Sequence, residues 1–319
     1  MTATNHSANQ GRVPAQGVPA QQMPTTAPAA PMQGAPVPAQ QGQVLQAPHG
    51  QVPAQQRAPR RRVQAKQTFF SVFRSEWSKL ASLRSTWITA AIASLITIGI
   101  SVLIMAQYSG MKGYADKAAN YLTVGSSFGQ IAVAVLGALL ITGEYSSGQI
   151  RSSLAAVPRR GRLFAAKAVV VTIFSALLGL VTVALTYLLS LPILGNKAGS
   201  LSNPEYLGFF WGTAMAFAII GLMAMSFGYI LRSTAGSISL VVVLLFVLLI
   251  PLGLAASKWD WVRYITEVLP SSSAAAVADP YNLLATPTKL DYDVVIASGY
   301  AWAIIPMIIA FFVFSKRDA

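Results

Sequence analysis

The chain has 319 residues, of which 54% are hydrophobic and only 10% charged, and its formal net charge is +13. A soluble domain carries about a quarter of its residues as charged side chains, so this balance excludes an ordinary water-soluble globule. Cysteine is absent, which excludes a disulfide framework and a thiolate metal site, and the only two histidines, His6 and His49, stand in the polar amino-terminal region.

Residues 1–66 are rich in Pro, Gln, Ala and Gly. Such a segment cannot bury enough apolar area to offset its ordering entropy, so a disordered tail is expected. It has no apolar core of the kind a signal peptide needs. The basic run Arg57, Arg60, Arg61 and Arg62 closes it, either as a topology determinant or as an anionic-lipid contact.

Residues 67–84 read as an amphipathic helix. Phe69, Phe73, Trp77 and Leu80 recur at helical spacing, while Arg74, Ser75, Ser78, Lys79 and Ser82 occupy other faces. Such a helix lies in the membrane interface, and Glu76 can pair with Lys79 one turn on.

Residues 85–319 then hold six stretches free of Asp, Glu, Lys, Arg and His: 85–111, 118–143, 168–196, 206–231, 233–257 and 294–315. About 20 mostly apolar residues cross a ~30 Å hydrocarbon core as helix. An ionised side chain at mid-span costs about 2.5–3.5 kcal/mol, so the charges collect between the spans. The expected fold is all-α: a polytopic membrane protein of six transmembrane helices behind an interfacial elbow helix. Pro251 should kink span five and Pro306 span six. Between those spans, residues 258–293 mix charges with Trp259, Trp261, Tyr264, Tyr281 and Tyr292. Short interfacial or re-entrant helices broken at Pro270 and Pro280 suit that composition.

With the amino end cytoplasmic, the inner parts hold 17 Lys+Arg against 3 acids, and the outer parts 6 against 7. This is the positive-inside pattern of a multi-pass cell-membrane protein with both termini cytoplasmic. It accounts for the net charge without nucleic acid as a partner.

Gly125, Ser127 and Gly129 match G-x-S-x-G, but inside a hydrophobic span and with no histidine outside the tail. They read as small residues that let two helices approach closely. No P-loop sequence occurs, so if ATP powers the protein, another polypeptide binds it. Asn120, Thr123, Ser127 and Gln130 share one helical face, either bonding to a neighbouring helix or lining a pathway. The connection at 143–167 is the richest in signals. Glu144 is the sole acid among five bases there, Gly148 allows a bend, and Pro158 suits the first turn of a new helix. Ile150, Leu154 and Val157 repeat at helical spacing beside Arg151, which makes a short amphipathic helix. No residue is assigned as catalytic, cofactor-binding or metal-ligating.

Gly143-Glu144-Tyr145, Gly148, Ile150-Arg151, Leu154 through Arg160 and Ala166-Lys167 together resemble the internal loop of ABC-2 type permeases. Phe73 to Leu80 with Ser85-Thr86-Trp87 looks like the amino-terminal segment of actinobacterial members. Arg232 to Gly236 and Leu269-Pro270 are similar too, so the likeness covers about residues 68–319. It implies a permease subunit of an ABC exporter, working as a homodimer or with a paralogue, with no cofactor of its own and ATP on a separate ATP-binding subunit. Glu144, Tyr145, Gly148, Ile150, Arg151, Leu154, Pro158 and Arg160 then form the ATPase-coupling loop. In that reading Glu144 pairs with Arg151 or a partner base, and Ile150, Leu154 and Val157 seat the loop on the ATPase. Arg159, Arg160 and Lys167 hold the hairpin at the headgroups. Gln149 departs from the threonine more usual in the family. The alternative is a non-transporting membrane anchor or regulatory component of a partner ATPase. Substrate identity is not encoded in any motif here.

Overall fold

Helix α1 (Phe69–Ser82) opens the structure, a computed structural model that describes residues 68–316. The Thr68 hydroxyl caps it, accepting from the Ser71 N–H at 3.3 Å. Leu83 alone, in extended conformation, joins it to α2 (Arg84–Ser109), and Trp87 Nε1 donates back to the Ala81 carbonyl at 2.8 Å. The expected tail at 1–66, with both histidines and the arginine run, lies outside the described residues.

A 3-10 helix (Ala115–Thr123) leads into α3 (Ser126–Ser146), followed by α4 (Gln149–Ala156), α5 (Arg160–Leu194) and α6 (Pro204–Leu231). Then come α7 (Thr234–Val242), a π turn (Val243–Val247), α8 (Leu249–Ala256), α9 (Asp260–Glu267), α10 (Pro270–Ala278) and α11 (Tyr292–Lys316). There is no strand among the described residues. Six helical segments are long and apolar enough to cross a membrane: Arg84–Ser109, Ala115–Ser146, Arg160–Lys197, Pro204–Leu231, Thr234–Ala256 and Tyr292–Lys316. Each overlaps one of the six charge-free stretches, and the third starts eight residues earlier, at Arg160. The chain is an all-α polytopic membrane protein.

Helix α6 is the hub and packs against α3, α5, α10 and α11. Its apolar window is 67% buried, against 11% for the α7–α8 segment at the periphery. Small residues permit this closeness, because helices in lipid associate through packing rather than through release from water. A Cβ on Gly137 of α3 would strike the backbone of Gly221 on α6. Likewise Gly125 and Gly129 lie directly on Thr97 and Ala93 of α2, so the 125–129 stretch serves helix approach as its composition suggested.

The kink expected at Pro251 takes the form of a change in helix type. The π turn precedes it, and the Leu248 N–H reaches back to the Val243 carbonyl at 3.0 Å. Proline crowds the carbonyl four residues back, and a wider turn relieves that crowding. Pro306 instead lies inside the continuous helix α11.

The segment between spans five and six does form two short helices. On α9 only Val262 is buried, while Trp259, Trp261 and Tyr264 are exposed, as suits a helix lying in an interface. Helix α10 starts with Pro270 in its first turn, carries no charge, and is buried against α3, α6 and α11. Trp302 Nε1 donates to the Val268 carbonyl at 2.7 Å just before it. Just after it, the Asp279 carboxylate accepts from the N–H groups of Leu283 at 2.9 Å and Leu284 at 3.0 Å. Burial pushes the Asp279 carboxyl above its usual range despite those two bonds.

Candidate functional site

At the end of the bundle that carries α1 and α4, four ionic side chains from three helices converge. Glu76 and Lys79 come from α1, Glu144 from the end of α3, and Lys167 from the second turn of α5. Lys167 Nζ donates to Glu76 Oε2 and, at 2.7 Å, to Glu144 Oε1. Lys79 Nζ donates to Glu76 Oε1 at 2.7 Å, to Glu144 Oε1 at 3.2 Å and to Ser153 Oγ of α4 at 3.1 Å. The Ser153 hydroxyl in turn reaches Glu144 Oε2 at 3.4 Å. Lys167 is 1% exposed, Glu76 4% and Glu144 6%.

Burying one such ion without a partner costs several kcal/mol, so mutual pairing is what permits the cluster. Burial acts against the Glu76 carboxylate, yet Lys167 and Lys79 outweigh it and hold its pKa below the usual carboxylate value. Burial also acts against the Lys79 ammonium, and its bonds to Glu76 and Glu144 overcome it, holding its pKa above the usual lysine value. Glu76 and Lys79 are therefore ionised at neutral pH, and the bonds of the cluster join α1, α3, α4 and α5.

Several expected site residues fall into place around it. Gly148 adopts φ +70°, with the Gly148 N–H bonded to the Tyr145 carbonyl at 3.3 Å, so the chain turns from α3 into α4 through a left-handed residue. Tyr145 is half-buried with its ring 5.1 Å from the Arg232 guanidinium carbon, which ties the end of α3 to the turn after α6. Ser233 caps the following helix, its hydroxyl accepting from the Gly236 N–H at 3.2 Å.

Others differ from the expectation. Glu144 pairs with Lys167 and Lys79, and Arg151 is exposed instead. Ile150 is 3% exposed and packs with Val72, Ile141, Leu163 and Phe164, with Leu154 and Val157 half-buried on the same cluster. The apolar side of α4 therefore seats on its own chain, and Gln149, Arg151, Ser152, Ala155 and Arg159 form the outward side. Pro158 precedes the Arg159 cap rather than standing in the first turn of α5. Arg160 donates to the Phe314 carbonyl at 3.2 Å and the Ser315 carbonyl at 3.4 Å, binding the last turn of α11. Lys167 points into the ion cluster and not to a headgroup.

The polar face of span two packs inside the chain. Gln130 is 2% exposed and donates to Ser271 Oγ of α10 at 2.9 Å and to the Ser127 carbonyl at 2.7 Å. Asn120 donates to the Leu283 carbonyl at 2.7 Å and accepts from the Tyr206 hydroxyl at 3.0 Å. Thr123 is buried and Ser127 half-buried. Of the two readings of this face, bonding to neighbouring elements describes Asn120 and Gln130.

The Glu76–Lys79 pair expected from their spacing is present at 2.7 Å, but neither that pair nor Lys167 was brought together with Glu144 from the sequence. A usable signal was present: Lys167 adjoins a long apolar span, and Glu76 and Glu144 are the only acids on its side of the described chain.

A family model described as ABC-2 family transporter protein matches residues 72–248, a stretch that runs from α1 through the π turn and contains the whole ion cluster. No curated protein matches the chain.

Proposed function

Since this chain belongs to the ABC-2 family of transporter proteins, and so is a permease component of an ABC transporter, we propose that α4 is the element through which a separate ATP-binding subunit drives it. The ion cluster carries this reading. A short helix on a glycine hinge is tied through the Ser153 hydroxyl to Lys79 of α1 and Glu144 of α3, whose ion pairs extend to Lys167 of α5. A push on its outward side therefore moves several spans as one body. Such clusters are worth their desolvation where they hold a geometry that apolar packing leaves loose.

In this reading the partner meets Gln149, Arg151, Ser152 and Ala155, while Ile150 and Leu154 transmit the load inward. The hairpin and both termini face the cytoplasm of the cell membrane, ATP stays on the partner, and two permease chains complete the exporter. A nucleotide state can bias the spans only by binding one arrangement better than the other.

Co-purification of the ATP-binding subunit tests the assignment. Arg151→Glu and Ala155→Trp on the outward side should abolish partner capture while membrane insertion and thermal unfolding stay unchanged. Full capture with both variants refutes it. The cysteine-free chain also suits labelling: Ser152→Cys should react with an impermeant reagent only from the cytoplasmic side. Partner ATPase activity that rises with added substrate separates a transporter from a non-transporting anchor.

A further inference from the structure

A cavity of about 520 Å³ lies beside the ion cluster, between α1, the start of α2 and the end of α3. That falls within the roughly 300–1,000 Å³ typical of small-ligand sites. Its lining is apolar along α3, chiefly Leu136, Leu139 and Leu140, carries Thr86 and Thr89 of α2, and includes the four residues of the ion cluster. Leu136 and Glu144 are separated by eight residues of α3, about 12 Å at ~1.5 Å per residue. The cavity thus has the form of a polar head region joined to an apolar trough. Leu83, also in its lining, is 50% exposed, which leaves the cavity a side entrance.

The hydrogen-bond inventory decides which head fits. A lysine ammonium has three donors, and those of Lys79 already meet Glu76 Oε1, Glu144 Oε1 and Ser153 Oγ. Lys167 uses two of its three donors on the two carboxylates, and its side chain is only 1% exposed against 8% for Glu144, so its third N–H is the less accessible group. An anionic head would have to displace one of these bonds or reach that N–H. Glu144 Oε2, in contrast, receives only the Ser153 hydroxyl at 3.4 Å, although a carboxylate oxygen accepts about two bonds. The four charges sum to zero, so the overall field opposes neither sign, and the more accessible unused capacity is the acceptor on Glu144.

We propose that this cavity binds an amphiphile with a protonated primary amine, its ammonium donating to Glu144 Oε2 and its tail lying along Leu136, Leu139 and Leu140. The site does not depend on the docking role of α4. The amine belongs either to an aminophospholipid or to a free single-chain alkylammonium, since both present the same head to the same carboxylate.

The full chain in phosphatidylcholine nanodiscs, with empty discs as baseline, provides the test using dodecylammonium, dodecanol and dodecanoate. Dodecylammonium should bind one saturable site about tenfold or more tighter than dodecanol, as expected of a charge-assisted bond. Glu144→Gln should remove about that tenfold preference while dodecanol binding persists. Leu139→Trp, which fills the trough, should abolish binding of both, and Thr89→Phe repeats this from the opposite wall should the first variant fail to fold. Equal affinities for the three probes, a preference for dodecanoate, or unaltered binding in the trough-filling variants would overturn the proposal. Competition by added phosphatidylethanolamine identifies the lipid as occupant, and undiminished dodecylammonium binding identifies the free amine; both uphold the ammonium chemistry.

Discussion

Replacing Lys167 by methionine removes the innermost charge of the cluster and retains most of its apolar stem. Two buried carboxylates then share the single ammonium of Lys79, whose side chain is 32% exposed. Breaking a buried pair by deleting one partner costs about 3–5 kcal/mol, because the orphaned charge stays desolvated. At neutral pH the variant should therefore lose about that much stability, a large share of what folded domains possess. Acid should recover part of it, because protonating one of the two carboxylates removes the unbalanced negative charge, so the variant's stability should improve relative to wild type as pH falls toward the carboxylate range. The double variant Lys167→Met, Glu76→Gln restores neutrality and should lose less than the two single losses added, with a coupling of about 1–3 kcal/mol. The assay is equilibrium unfolding of the purified protein in mixed micelles, followed by tryptophan fluorescence. A Lys167→Met loss within about 0.5 kcal/mol, the range of ordinary surface changes, or strict additivity of the pair, would refute the claim that these ions hold the four helices together.

Gly148→Ala should cost about 1–2 kcal/mol through its left-handed backbone alone, since no atom crowds the added methyl, and the same unfolding assay reads it. Gly137→Ala should also destabilise, by about 1–3 kcal/mol, because its methyl meets the α6 backbone, which cannot rotate away as a side chain would. The Asp279 carboxyl binds its proton more readily folded than unfolded. Its contribution to stability should therefore fall as pH rises through the window above its ordinary value of 3.8, and Asp279→Asn should flatten that slope in melting curves taken against pH. Glu76 acts in the opposite sense: its lowered pKa stabilises above about 4.5 and is lost as pH falls below that. Protease protection of α1 should accordingly fail in acid, and Glu76→Gln should remove this dependence.

The spans, their number and a helix ahead of them were legible in outline, because lipid excludes charge and every span must satisfy its own backbone. Gly148 and the Arg232–Gly236 turn were legible for a related reason: a left-handed residue and a serine cap are local requirements, met within a few residues. The partners of Glu144 were not. Lys79 is 65 residues away and Lys167 is 23, and neither spacing belongs to any helical repeat. The direction of Ile150 was equally hidden, since an amphipathic helix shows that one side is apolar but not whether that side meets its own chain or another. Periodicity and charge distribution thus determine the six-span architecture, because they record each segment's encounter with its solvent. Which helices exchange ions, and which side of α4 remains outward, is decided by tertiary packing alone, because only the assembled bundle sets the distances over which charges attract.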